Sequence, residues 1–262
     1  DVGAIGELIR AASLLHDAVV DNSDMRRGQP SINALHGNKT AILTGDYLLS
    51  CGLDHLRTLE PAQELLGVFT RVIRMLAVGE LLQMEWETNF QLKEQVYDRI
   101  ILGKTGALFG AMTEGALVLA GVRDPGAQER YRNFGERMGR LFQIRDDYLD
   151  YFGDASANGK ELFQDFRRGL VTRPVILLRQ SVGARERRAL AELWQTEDQR
   201  ASQEGLDLWF DLSQKTDLGL RLAREIEEEI HALMHFVREH PASDFQEKIL
   251  ENLRTLLVPV PV

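Results

Sequence analysis

Phe142-Gln143-Ile144-Arg145-Asp146-Asp147-Tyr148-Leu149-Asp150-Tyr151-Phe152-Gly153-Asp154 decides how the chain folds. Apolar residues at Leu141, Ile144, Tyr148, Leu149 and Phe152 recur at helical spacing and predict a helix with one buried face. On that helix Asp146 and Asp150 stand one turn apart, about 6 Å along the axis, with both carboxylates projecting the same way. Two like charges held that close in a largely apolar segment call for a counter-charge. Oxygen-only ligands point to a hard divalent ion, Mg²⁺ before Zn²⁺. A lone stretch of this kind is more often a solvated acidic patch. A second, similar stretch far upstream, Asp17-Ala18-Val19-Val20-Asp21, overturns that reading.

Working outward, strand signals are almost absent, and apolar residues repeat at three- and four-residue spacing over long stretches. Ile5, Leu8, Ile9, Ala12 and Leu15 make one such face and run into Asp17. Residues 22–30 are polar, with Gly28 and Pro30 marking a break. Helices are predicted over 41–59, 63–87, 97–120 and 128–152, and a polar loop over 155–169. Further helices are predicted over 174–180, 184–195, 203–214, 219–239 and 244–257. The pattern predicts an all-α fold, a single domain over residues 1–262 built as a helical bundle around a central cavity. The first residues already read as mid-helix, so an N-terminal portion of the natural chain is expected to lie outside this sequence.

A net charge of −9 and a pI near 5.3 argue against nucleic acid or an anionic membrane as the main partner. A single cysteine, Cys51, excludes an internal disulfide and suits a cytoplasmic setting. No apolar run reaches the length of a membrane span, about 20 residues.

The Asp17/Asp21 pair also sits at i,i+4 on a helix, directly after an apolar face. Helix-borne carboxylate pairs from two elements can hold metal ions on a diphosphate, because Mg²⁺ bridges phosphate oxygens to a few carboxylates while keeping waters. Arg26-Arg27-Gly28 follows closely, and guanidinium forks bind phosphate bidentately. Gly103-Lys104-Thr105-Gly106 invites a phosphate-loop reading. That pattern needs glycine at position 98, where Asp98 stands, and a preceding strand, where the pattern is helical. Lys104 and Thr105 can still contact phosphate from a helix. The segment 154–165 is a near miss for a calcium loop. His231 and His235 read as solvated helix residues, not a zinc pair.

With these landmarks in order, the chain resembles the trans-isoprenyl (polyprenyl) diphosphate synthases over nearly its whole length. The matching residues begin with His16-Asp17-Ala18-Val19-Val20-Asp21, Asp24-Met25-Arg26-Arg27-Gly28, Gly37-Asn38-Lys39 and Gly45-Asp46-Tyr47-Leu48-Leu49. They continue with Gly79-Glu80-Leu81-Leu82-Gln83, Lys104-Thr105, Phe142-Gln143, Asp146-Asp147-Tyr148-Leu149-Asp150, Gly159-Lys160, Asp165, Thr172 and Pro174. The resemblance implies a homodimeric prenyltransferase in which Asp17, Asp21, Asp146 and Asp150 hold three Mg²⁺ ions on an allylic diphosphate. Arg26 and Lys104 would bind that diphosphate, with Gln143 and Lys160 nearby, and Arg27 would bind isopentenyl diphosphate. The implied reaction ionises the allylic C–O bond, joins the carbocation to isopentenyl diphosphate and loses a proton.

The chain departs from the family pattern at Ala18, where a second aspartate is expected, and at Arg10, Phe163 and Leu170, where His or Gln, Gly and Lys are expected. These departures keep a second reading in view, a non-catalytic partner subunit of a heteromeric synthase. A class I terpene cyclase is a third, which Arg26-Arg27 and Gly159-Lys160 disfavour because a cyclase holds no second diphosphate. Ala12 and Ser13, one turn before Asp17, are small and predict an open path for the growing tail. The expected product is C20 or longer, with Ile9 or Ile5 as the floor.

Overall fold

The computed structural model describes residues 1–26, 28–154, 162–240 and 246–258. Helices dominate it, as the periodicity predicts. The only strands among the described residues are β1 (Met25–Arg26) and β2 (Gln29–Pro30), paired antiparallel with Met25 opposite Pro30. Gly28 closes their turn at φ 74°, a conformation that side chains disfavour.

The chain divides into two compact units. One comprises Asp1–Gly79 and Leu102–Gly139. It contains α1 (Val2–Val20), the hairpin, α2 (Ile32–His36), α3 (Asn38–Leu56) and most of α4 (Ala62–Trp86). A π-helical turn (Leu102–Gly106), α6 (Ala107–Leu119) and the first half of α7 (Pro125–Phe152) complete it. Its core joins Ile5 and Ile9 of α1 to Leu56, Leu65, Phe69, Val72, Leu108 and Ala111. Burying side chains of this size contributes about 1.5–3 kcal/mol each. Asp124 starts α7 by accepting the Gly126 and Ala127 N–H groups at 3.2 and 2.9 Å, with Pro125 following as the first helical residue.

The other unit comprises Glu80–Ile101 and Arg140–Val262. It holds α5 (Glu94–Ile101), the second half of α7, α8 (Gln164–Arg168), α9 (Arg173–Ser181), α10 (Ala184–Leu193), α11 (Glu197–Ala201), α12 (Gln203–Lys215), α13 (Leu218–Glu239) and α14 (Gln246–Arg254). Its core is aromatic. Tyr151 lies 4.8 Å from Trp209 between ring centroids, and Phe166 sits 5.3 Å from both Trp209 and Trp194. The Trp194 indole N–H donates to the Gly169 carbonyl at 2.8 Å, so the ring's polar edge is satisfied inside the core.

The predicted long helices stand within a few residues of their expected ends. The helix predicted over 97–120 differs in kind: α5 and α6 are separated by the π turn. The hairpin, α2 and α11 fall in stretches read from sequence as connections, because segments this short carry no full period.

Candidate functional site

The first acidic segment ends α1. Asp21 terminates the helix, its N–H donating to the Asp17 carbonyl at 2.8 Å, and both aspartates are half-buried. Ala18, between them in sequence, is buried at 6 % exposure and packs inward. His16 is held just before the pair. Its Nε2 lies 3.2 Å from the Ile42 carbonyl and 3.3 Å from Asp46 Oδ1, both acceptors, so Nε2 carries the proton. The ring occupies the space over Gly45, where a Cβ would come within 2.3 Å of Nε2. The Gly45-Asp46 pair thus has a physical reason: one makes room for His16 and the other accepts from it. The hairpin carrying Arg26 is tied back to this helix end. Ser31 Oγ and Asn33 Nδ2 donate to the Ser23 carbonyl at 2.7 and 3.1 Å, and the Ser23 N–H donates to the Ala18 carbonyl at 2.9 Å. Arg26 lies in β1; Arg27 and Lys160 fall outside the described residues.

Lys104 and Thr105 lie on the π turn, half-buried. π turns are rare and concentrate at functional sites. This one is gripped by backbone. A Cβ on Gly103 would stand 2.8 Å from both Gly79 Cα and the Met75 carbonyl, and one on Gly139 would stand 2.7 Å from Gly106 Cα. Nearby, buried Glu114 accepts from Arg71 Nη2 at 2.5 Å, linking α6 to α4, with Arg132 Nη1 of α7 at 3.8 Å. Ala12 is buried and Ser13 half-buried on α1.

In the second acidic segment the three aspartates have three environments. Asp146 is exposed. Asp147 is buried at 2 % exposure and accepts from the Tyr97 hydroxyl at 2.6 Å, Gln143 Nε2 at 3.1 Å and the Arg173 N–H at 3.3 Å. Burial pushes its carboxyl up to about 6 against the pull of those three donors. The Arg173 guanidinium is held by Glu94 at 2.6 Å and Glu225 at 2.9 Å. Asp150 Oδ1 accepts the Gln164 N–H at 3.0 Å and Oδ2 the Asp165 N–H at 3.1 Å, at the start of α8. Loss of hydration, then the charges of Asp147, Asp150 and Asp146, push the Asp165 carboxyl well above the usual range.

Sequence reasoning assigned Gln143 to diphosphate; its amide also donates to Asp147. Tyr97 and Arg173 fall in no motif of the sequence, yet both are partners of the buried Asp147. The signal was available for Asp147, which stands three residues after Ile144 and four before buried Tyr151, on the inward side of α7. The near miss for a calcium loop lies mostly outside the described residues. His235 pairs with Glu239 at 3.2 Å on the exposed side of α13.

A family model for polyprenyl synthetase matches residues 1–207. The chain is 40 % identical over 186 residues to an all-trans-nonaprenyl-diphosphate synthase (geranyl-diphosphate specific) of Rhodobacter capsulatus, covering 71 % of this chain and 56 % of that one. Among solved structures, a decaprenyl diphosphate synthase from Rhodobacter capsulatus matches with a TM-score of 0.88 and 28 % identity, over 100 % of this chain and 79 % of that one. A polyprenyl synthase from Caulobacter crescentus, complexed with calcium and isoprenyl diphosphate, matches with a TM-score of 0.82 and 30 % identity, over 99 % and 78 %. The fold is that of the isoprenoid synthases, and the chain belongs to the polyprenyl synthetase family. It spans about half the length of the curated relatives it matches.

The donor chemistry of each acidic segment suits a hard divalent ion: Asp17 and Asp21 in one unit and Asp146 in the other offer carboxylate oxygens alone, and among the described residues no three acidic, histidine or cysteine side chains gather into a cage able to hold a metal ion. An ion that keeps waters and shares phosphate oxygens needs no such cage.

Proposed function

We propose that the chain condenses isopentenyl diphosphate with an allylic diphosphate to make a trans-polyprenyl diphosphate, with Mg²⁺ held by Asp17, Asp21 and Asp146. One observation carries the reading. α1 ends in Asp17 and Asp21 with no basic residue in its last turn, where the helix dipole already disfavours negative charge, and α7 carries the exposed Asp146 next to the buried Asp147. Bound cations offset both. When bound, Mg²⁺ supplies charge neutralisation at the departing diphosphate. Arg26 and Lys104 bind the allylic diphosphate, Lys104 from the π turn beside Thr105, with Gln143 and Lys160 nearby, and Arg27 receives isopentenyl diphosphate. These groups position the reactants; none acts as a nucleophile. Three ions, two copies of the chain per enzyme and a cytoplasmic location complete the proposal. Among the described residues no helix is long and apolar enough to cross a membrane. Leu43 and Tyr47, one turn apart on α3 and each 67 % exposed, offer apolar surface to a second copy.

The product is proposed to be C20 or longer. Ala12 and Ser13 leave the tail a path along α1, and Ile9 and Ile5, both packed in the core, supply its floor. The test is incorporation of labelled isopentenyl diphosphate with several allylic starters, products being resolved by chromatography. A ladder reaching C20 or beyond supports the proposal, and Ala12→Phe should shorten it while the first condensation persists. An unchanged ladder in Ala12→Phe would show that the tail does not pass Ala12.

A second reading, a non-catalytic partner subunit, draws on the buried alanine at position 18 and on Phe163. No condensation by the natural full-length chain alone, restored by mixing with a second synthase subunit, would favour it.

A further inference from the structure

Asp146 and Asp150 share one spacing, yet their surroundings differ. Asp150 accepts one backbone N–H on each carboxylate oxygen, from Gln164 and Asp165, while its own carbonyl accepts the Phe163 N–H at 2.8 Å. Those donors are the first two backbone N–H groups of α8, aimed at the carboxylate. The charge of Asp150 is therefore already met by dipoles of the kind that repel a cation. Phe163 makes the turn between them in the left-handed region, φ 63° and ψ 27°, which a bulky residue rarely adopts. Its ring is what holds it there. It is buried and makes edge-to-face contacts with Tyr151, Phe166 and Phe210 at 5.5, 6.2 and 5.2 Å.

Resting on the proposed metal-dependent reaction, we infer that Asp150 and Phe163 are a positioning pair: Asp150 caps α8 and Phe163 locks the turn, while Asp146 lends its oxygen to the cation. The cap fixes Asp165 beside the Asp147 network. It also sets the course of the chain into Arg173, whose N–H reaches Asp147.

The test uses the full chain and Mn²⁺ with inorganic diphosphate as the probe, read by the spin signal of free Mn²⁺, together with metal-free thermal unfolding. Asp146→Asn should weaken Mn²⁺ binding about tenfold or more and leave the metal-free Tm nearly unmoved. Asp150→Asn should leave Mn²⁺ binding within about threefold and lower the metal-free Tm by about 4 °C. It should also lower kcat about tenfold with the KM for the allylic diphosphate held within about twofold, as expected of a group that does not touch substrate. Phe163→Ala, which acts on the same cap from the other side, should give a Tm loss that does not add to that of Asp150→Asn. Mn²⁺ binding weakened as much in Asp150→Asn as in Asp146→Asn, an unmoved Tm, an unmoved kcat, or additive losses would each overturn the inference. Intact Mn²⁺ binding in Asp146→Asn would instead remove the metal reading, while the metal-free Tm still judges the cap.

Discussion

The two acidic helix ends carry similar spacing and are supported in opposite ways. Around the end of α1 and the π turn, support comes from backbone brought close at glycines: Gly45 under His16, Gly79 against Gly103, Gly106 against Gly139. Around the end of α7, support comes from polar side chains buried together, Tyr97, Gln143 and Asp147, joined by Arg173 with Glu94 and Glu225. The first arrangement is sensitive to added volume, because close-packed backbone cannot yield. The second is sensitive to charge, because a buried carboxylate depends on every donor it keeps. Similar motif spacing therefore does not imply like support, and each region can be broken by a change the other tolerates.

The largest effect is expected from volume in the first region. Gly103→Ala puts a Cβ within 2.8 Å of Gly79 Cα and the Met75 carbonyl, both backbone. It should cost about 3 kcal/mol of stability, measured by denaturant unfolding. A loss under about 1 kcal/mol would show that α4 and the π turn can slide apart, and the contrast would lose its first half.

Next is charge in the second region. Burial outweighs the three donors of Asp147 and pushes its carboxyl up to about 6, above the usual carboxylate range. The folded state then holds the proton more tightly. The stability this group contributes is full below about pH 4 and is lost as pH rises through about 6, on the order of 3 kcal/mol in all. In metal-free protein, parent stability minus that of Asp147→Asn should therefore fall between about pH 4 and pH 6 and level off above it, followed by thermal unfolding. A flat difference would contradict the buried-charge account.

The smallest effect brings a charge into the region built on volume. Ala18→Asp places a carboxylate at a site 6 % exposed, which should cost about 1–2 kcal/mol without metal. Recovery of that loss with Mg²⁺ and diphosphate would show that the added oxygen reaches the ion, and faster condensation should accompany it. No recovery would show a site rebuilt around alanine.

The same contrast explains what could be read from the sequence. Long helices were legible because each buries a stripe, as α13 does with Leu222, Ile226, Ile230 and Leu233. The pairs Asp17/Asp21 and Asp146/Asp150 were legible as a recurring spacing. The π turn was not, since its cause is the approach of Gly79 and Gly139, distant in sequence. Nor was the turn at Phe163: a phenylalanine gives no local sign of left-handed backbone, and its ring partners, Tyr151 and Phe210, come from other helices. The capping role of Asp150 needed the placement of α8 before it could be seen.

The most direct measurement of the central claim is the Mg²⁺ dependence of condensation by the natural full-length chain, beside Asp21→Ala and Asp146→Ala. Labelled isopentenyl diphosphate should enter product only with Mg²⁺. Each variant should lose about a hundredfold or more in rate, the scale of removing electrostatic stabilisation from a departing anion. Near-parental rates in both variants, or full activity with chelator present, would contradict it.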